Sequence, residues 1–513
     1  VSITRRSLIH GVGRAGGVAA AYRTMAAMGM LATPAFAGPP DLAPGQGRKI
    51  IVLGAGIAGM VAALELGRAG YSCRVLEARD RPGGRNWSLR AGDTVEETTS
   101  RQSVGWDAGA HMYFNPGPAR LPFHHRGILY YCRLLGVKLE VMCNDNRGAL
   151  TQDDRAFDGA PQHNGAIIAD ARGYIAELAG KALDRAGLDQ PVSPEELEKL
   201  RDFLRTFGAL DRDLAYHGSS RRGYTEPPGA GEAAGAVAPP LDLRRLLQTS
   251  FWRAPLAFGE FYTQAATMMQ PVGGMGRIGE AFGRHLDDVI TYNAEVIRLG
   301  RTGEGAEIVW RDRRSGQTQA WHTDRVICTL PCPVLRELNA DFSPQVKAAL
   351  AAPAYVAAGK IAFQADRRFW ELDEQIYGGI SWTSRDITQI WYPSAGLHAE
   401  KGILLGAYIW SDEIGQHFAA KTPEQRATDS LADGAAVHPN YAKWLRLGIS
   451  VAWPNIPFTR GGWAEWDTAG RNQAYPVLLR GDGPFLFAGE HLSYVTGWQE
   501  GAVLSAHHAL RQI

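Results

Sequence analysis

The chain carries almost no net charge. Its 54 Lys and Arg against 53 Asp and Glu in 513 residues leave a formal +1. That balance offers no basic footprint for a nucleic acid backbone. Cysteine is scarce as well. Cys73, Cys132, Cys143, Cys328 and Cys332 are all there are, an odd number in no spacing that fits a zinc site or a disulfide framework. They read as small core residues, and Cys328 with Cys332, beside a strand, as packing rather than redox chemistry. Also missing is an apolar run long enough to cross a bilayer, because Arg14 and Arg23 break the weakly apolar N-terminal stretch. What is left is an ordinary globular composition, 45% hydrophobic and 21% charged. The length suffices for two or three domains with sizeable cores.

The N-terminus reads as a targeting segment. Thr4-Arg5-Arg6-Ser7-Leu8-Ile9 is a twin-arginine pattern, and Ala35-Phe36-Ala37 is an A-x-A-type cleavage site. The expectation is export by the twin-arginine route, cleavage after Ala37 and a periplasmic or secreted product. Residues 38–48 are a Pro/Gly linker.

The most informative stretch is 50–85. Ile50-Ile51-Val52-Leu53 has the length and β-branched content of a buried parallel strand. Gly54, Gly56 and Gly59 follow in the spacing G-x-G-x-x-G, then Ala62, Ala63, Leu64 and Leu66 at helical spacing, then Arg74-Val75-Leu76 ending in Glu77. Strand, turn, helix, strand and acid in this register predict a bound dinucleotide. The helix N-terminus offers N–H groups and a positive dipole end to a pyrophosphate. Glu77 lies where a carboxylate can accept from ribose hydroxyls. Arg79 to Arg85 adds a Gly-Gly-Arg turn that brings bare backbone and a cation to the same phosphates.

Further on, residues 123–136 and 171–186 have helical periodicity, and Ser193-Pro194-Glu195-Glu196 is a capping box. Leu197, Leu200, Leu204 and Phe207 form a candidate buried stripe, and residues 223–240 a flexible loop. Strands are expected at 288–292, 294–299, 307–310 and 325–329, then at 360–363 and 403–409. Pro484 to Glu490 reads as a strand ending in an acid, with a helix opening after Gly497-Trp498.

The run E-A-R-x-R-x-G-G-R at 77–85, Val272-Gly273-Gly274-Met275 and G-E-x6-G-W-x-E-G at 489–501, in this order, resemble the flavin amine oxidase family. The resemblance covers nearly all of 48–513 and is nearest to the L-amino acid oxidases. It implies an α/β fold: a Rossmann-like FAD-binding domain from 48–118, 276–335 and 470–513, and a mixed-sheet substrate domain at 336–469. A helical domain at 119–250 and a substrate-pocket segment at 251–275 complete it, after a signal segment at 1–37. The FAD contacts it implies are Gly54, Gly56, Ala58, Gly59, Glu77, Ala78, Arg79, Gly84, Arg85, Gly117, Pro118, Ala119, Arg120, Val296, Gly489, Glu490, Trp498, Gln499 and Ala502. No cysteine lies at 480–500, so the cysteinyl flavin link of some relatives has no candidate and the FAD is expected to be non-covalent.

For the substrate, the resemblance singles out four places. Arg120, in G-P-A-R-L-P, matches an arginine that pairs with an α-carboxylate, a task suited to the guanidinium fork. Tyr392, in I-W-Y-P, matches a tyrosine whose hydroxyl is the carboxylate's other partner, with Trp391 taking that place if the register slips by one. Lys360 matches a lysine that holds a water near the flavin and would assist reaction with O₂. Gly497-Trp498 supplies a carbonyl for the amine and an aromatic wall. Phe258, Tyr262, Trp463 and Trp498 are candidate side-chain walls and favour large apolar or aromatic substrates, while Glu260 or Glu465 could instead select Lys or Arg. No histidine base is evident before Val272, where Phe258, Tyr262 and Gln264 stand. Hydride transfer from Cα–H of the neutral amine to FAD is therefore expected, with O₂ as acceptor and 2-oxo acid, ammonia and H₂O₂ as products. The alternatives are an amide-forming L-amino acid 2-monooxygenase, an amine or polyamine oxidase, and a flavoprotein used only for binding. A homodimer is expected, and no stable membrane insertion.

Overall fold

A computed structural model describes Phe36 and residues 38–183, 193–248 and 253–513. The twin-arginine pattern and the two alanines of the cleavage motif lie outside the described residues, as do Phe251 and Trp252.

The nucleotide-type sheet has five parallel strands in the spatial order Ile290–Thr291, Ser72–Leu76, Lys49–Leu53, Arg325–Cys328, Phe485–Phe487. Its strands are apolar on both faces because both faces are covered. Ile50, Val52, Val75, Ile327 and Leu486 point to helices Ile57–Arg68, Gly276–His285 and Gln499–Leu510. Ile51, Leu53, Leu76, Val326 and Phe487 point to a second core with Leu299, Ile308 and Trp310 of the meander Ala294–Arg301, Ala306–Asp312, Thr318–Thr323. The first and last strands in the chain thus sit in one sheet, although more than four hundred residues separate them in sequence.

The second large sheet has seven strands in the order Leu445–Ala452, Gly359–Ala365, Gly402–Ile409, Gln389–Tyr392, Gly379–Thr383, Leu150–Gln152, Gln162–His163. The last two come from the stretch expected to be helical. Leu150–Gln152 joins in parallel with Gly379–Thr383, and Ser381 Oγ fixes it by accepting from Leu150 N at 2.8 Å. The helices of that stretch, Asn164–Leu183 and Pro194–Gly208, follow. The predicted capping box is made: Ser193 N donates to Glu196 Oε2 at 2.9 Å and Glu196 N to Ser193 Oγ at 3.2 Å. Of the expected stripe, Leu204 is buried and Leu197 and Leu200 pack against it, but Phe207 is exposed. The expected loop at 223–240 contains a hairpin of Tyr224–Glu226 with Ala236–Val237.

All five cysteines are free thiols; Cys132, Cys328 and Cys332 are buried in the two cores around the parallel sheet.

Candidate active site

A cavity of ≈ 520 Å³ runs along the C-terminal ends of the parallel strands and reaches the seven-stranded sheet. Its walls include Gly54, Gly56, Ala58, Glu77, Ala78, Arg79, Gly84 and Arg85 from the first motif, then Gly117, Pro118 and Val296. Gly489, Glu490, Gly497, Trp498, Gln499 and Ala502 close it from the C-terminal end of the chain. Open sheets of this kind bind ligands at this edge. Gly59, Ala119 and Arg120, also expected among the FAD contacts, do not line this cavity. Gly59 acts one layer down: a Cβ there would stand 2.0 Å from Gly54 O, so only glycine lets helix and turn pack this closely.

The residues present fit a flavin dinucleotide on three counts. A Cβ at Gly56 would project into open space, which leaves bare backbone for a close ligand. Helix Ile57–Arg68 has neither a side-chain cap nor an acid in its first turn, so its N-terminal dipole end is uncompensated. Gln499 is buried on the cavity wall, held by Nε2 donating to Asn86 Oδ1 at 3.1 Å, while its Oε1 has no partner among the described residues.

The acids and cations of this end are already held in place. Glu77 accepts from Ala55 N at 2.7 Å and from Arg79 N at 2.9 Å, which ties the strand end to the glycine turn. Arg79 donates to Pro457 O and Thr459 Oγ1, each at 2.6 Å. Arg85 donates to Gly462 O at 2.7 Å and pairs with Glu490 at 2.9 Å. Glu490 also accepts from Gly497 N at 2.9 Å, and the ring of Trp463 packs beneath Gly497. One carboxylate therefore links the Gly-Gly-Arg turn to the Gly-Trp turn.

The substrate end is an aromatic box around a buried cation. Arg120, 6% exposed, lies 4.6 Å from the ring of Trp391, 5.4 Å from Trp498 and 5.6 Å from Phe258. Its Nε donates to Gln264 Oε1 at 2.9 Å. Among the described residues no carboxylate pairs with it. Burial lowers its pKa to about 10. Lys360 stands beside it, 1% exposed, with Nζ 4.1 Å from the ring centroid of Tyr408. Lys360 Nζ donates to Asn115 O at 3.0 Å and Gly117 O at 2.5 Å. Burial first, and the charge of Arg120 second, push its pKa well below the ordinary lysine value. Trp382 and Trp410 back Phe258, at centroid distances of 5.0 and 6.0 Å.

Two expected site residues are elsewhere. Tyr392 does not face Arg120. Successive strand residues point to opposite faces, and it is Trp391 that faces the box while Tyr392 is buried in the core on the other side. Its hydroxyl bonds Ser381 Oγ and His438 Nε2, each at 2.6 Å. Tyr392→Phe is therefore expected to leave the substrate KM within about twofold and to cost about 1–2 kcal/mol of stability through unpaired buried partners. Steady-state kinetics beside urea unfolding checks this. Tyr262 is 70% exposed, stacked on His124 at 4.0 Å, because the chain after the turn Phe258–Glu260 runs over the surface. Of the other proposed walls, Phe258 is in the box, and Trp463 and Trp498 line the cavity. Glu260 is exposed and pairs with Arg172, and Glu465 is exposed, so neither carboxylate enters the box.

Tyr408, Trp382 and Trp410 were not anticipated. Tyr408 and Trp410 are two apart at the end of a strand, and Tyr408 is in register with Lys360 on the neighbouring strand. Two-residue alternation carried that signal once the pairing was known.

The family model described as flavin containing amine oxidoreductase matches residues 57–513. An L-amino-acid oxidase of Siganus canaliculatus is 26% identical over 474 residues, 90% of this chain and 85% of that one. A flavin-dependent L-tryptophan oxidase of Lentzea aerocolonigenes is 26% identical over 495 residues, 91% of this chain and 98% of that one. Among solved structures, wild-type putrescine oxidase bound to putrescine superposes with a TM-score of 0.60 at 18% identity, over 91% of this chain and 98% of that one.

Proposed function

The chain belongs to the flavin-containing amine oxidoreductases, with FAD as cofactor, and on that premise we propose that it oxidatively deaminates L-amino acids with large, chiefly aromatic, side chains. Arg120 carries the reading. A buried guanidinium with no anionic partner among the described residues is costly unless a ligand supplies the counter-charge. An α-carboxylate does so, and a simple amine does not. Phe258, Trp382, Trp391, Tyr408 and Trp410 give the box apolar faces rather than a second anion, which suits an aromatic side chain. The similarity to an L-tryptophan oxidase supports the same class.

The residues divide the work as follows. Arg120 fixes the carboxylate and so the orientation of the Cα–H bond, the main source of rate when no protein base is needed. Trp498 and Tyr408, which belong to both the box and the cavity wall, exclude water between them. The carbonyl of Gly497 takes the amine. Lys360 Nζ holds or releases a proton at the boundary of the two spaces. The cavity residues from Gly54 to Ala502 would hold FAD without a covalent link. FAD held there would supply the hydride acceptor and the electron link to O₂. No helix among the described residues is long and apolar enough to cross a membrane. Twin-arginine export, a periplasmic or secreted location and a homodimer belong to the same proposal.

The test is to incubate holoprotein with each L-amino acid and with its decarboxylated amine, measuring H₂O₂, ammonia and product mass. Peroxide and 2-oxo acid from L-Phe, L-Tyr or L-Trp are expected. Peroxide from the amines alone sinks the reading of Arg120, and an amide product without peroxide replaces the oxidase with a monooxygenase.

A further inference from the structure

We infer that Gln264 is the residue that keeps Arg120 available, and that its uncharged amide is what tunes the site to α-amino acids over simple amines. The inference rests on the reading of Arg120 as the carboxylate site. A long buried cation needs an acceptor to hold its rotamer. The acceptor present is Gln264 Oε1, 2.9 Å from Arg120 Nε. An amide oxygen satisfies the N–H without neutralising the charge. A carboxylate in the same place would make the same bond and form a closed ion pair, leaving the incoming substrate carboxylate beside a like charge. The rings of Phe258, Trp391 and Trp498 also face the guanidinium, and they stabilise a cation without neutralising it.

Gln264 is itself anchored, although the segment that carries it lies near the surface. Its N donates to Phe261 O at 2.7 Å. Its O accepts from Nδ2 of Asn144 at 3.0 Å, and Asn144 is buried. Its Nε2 has no acceptor among the described residues and remains a second neutral donor next to the guanidinium. Gln264 is a positioning residue: it acts through Arg120, and its charge state sets which substrates Arg120 accepts.

The experiment compares holoenzyme carrying Gln264→Glu or Gln264→Ala with wild type, using L-phenylalanine, phenethylamine and benzoate. Benzoate is an unreactive carboxylate whose binding is read from the visible spectrum of the bound flavin, which also reports that the variant holds FAD. Gln264→Glu is expected to raise the L-phenylalanine KM and the benzoate Kd by about 100-fold, with kcat at saturation changed far less, because a closed ion pair opposes a second anion. Phenethylamine should lose nothing or gain, so that the preference inverts. Gln264→Ala frees the rotamer without closing the charge and should weaken L-phenylalanine by only about tenfold, with no inversion. If Gln264→Glu loses FAD, Gln264→Met, uncharged and of similar length, is expected to behave as Gln264→Ala does. Equal losses for amino acid and amine in every variant would reduce Gln264 to a packing role and overturn the inference. Wild type that ignores benzoate and L-phenylalanine overturns the carboxylate reading as well; wild type that binds both, beside an unaltered Gln264→Glu, overturns this inference alone.

Discussion

Arg120→Ala is expected to raise the KM for L-amino acids by about 100-fold or more while FAD stays bound, since losing a charge-assisted pair inside an apolar box costs about 3 kcal/mol. The decarboxylated amines should be affected far less, because they make no use of the guanidinium. Stability should not fall with activity. Arg120 is desolvated, with one amide as its polar partner and aromatic rings around the rest of it. Removing it relieves a buried charge and leaves a single unpaired acceptor, Oε1 of the half-buried Gln264. A group that is costly to fold and needed only by the ligand is the pattern expected of a binding site rather than of a scaffold. Arg120→Lys keeps the charge but loses the planar fork, so a loss of about tenfold is expected. Michaelis constants for L-phenylalanine and phenethylamine, measured beside thermal unfolding, decide the matter. An unchanged amino acid KM in Arg120→Ala would remove the residue from the site.

The two ends of the site differed in how plainly the sequence announced them. The cofactor end is local: strand, glycine turn, helix and acid fall within residues 49–77, and each link is a backbone requirement that residue type reveals. Gly59, expected as an FAD contact, serves packing instead, because no side chain fits 2.0 Å from a carbonyl. The substrate end is assembled from Arg120, Gln264, Lys360, Trp391, Tyr408 and Trp498, of which Lys360, Trp391 and Tyr408 lie on neighbouring strands and the other three on loops far apart in sequence. In an aromatic pair such as Trp391-Tyr392, pattern alone does not tell which ring faces the ligand, and a slip of one residue reverses the answer. The hydroxyl of Tyr392 suggested chemistry, but the fold uses it to satisfy Ser381 and His438 in a core. Tyr262 failed for another reason. Phe258, Phe261 and Tyr262 look alike as aromatics, and what separates them is the course of a surface segment with no periodicity to read. Leu150–Gln152 was missed because a strand of three residues, all of them buried, has too few to show alternation.

Lys360→Met is expected to slow turnover in air by about 100-fold, the scale of a lost proton donor, while anaerobic bleaching of the flavin by substrate changes little. The argument starts from donors and acceptors. Nζ already donates to Asn115 O and Gly117 O. A neutral amine spends both N–H groups on those carbonyls and keeps a lone pair; an ammonium gains a third N–H. Burial and the neighbouring Arg120 hold the pKa well below the ordinary lysine value, so both disfavour the charged form while the box is empty. A carboxylate on Arg120 cancels the second of these effects and moves the pKa upward, and negative charge developing in the cavity moves it further. Lys360 is thus expected to take up a proton at Nζ after substrate arrives, in time for the step in which O₂ accepts electrons, and to contribute little to holding the amino acid. The sign follows for pH: lowering the pH favours the charged amine, so the O₂-dependent rate of wild type should hold toward acid pH and fall as the pH rises, a limb that Lys360→Met should lack. Methionine fills the volume but leaves two carbonyls unpaired, at a cost of about 1–3 kcal/mol, so flavin content must be matched before rates are compared. Stopped-flow bleaching and oxygen uptake on the same preparations separate the two halves of the reaction. Equal losses in both would place Lys360 in substrate orientation, because a residue that acts only on the O₂ side cannot slow a step completed in its absence.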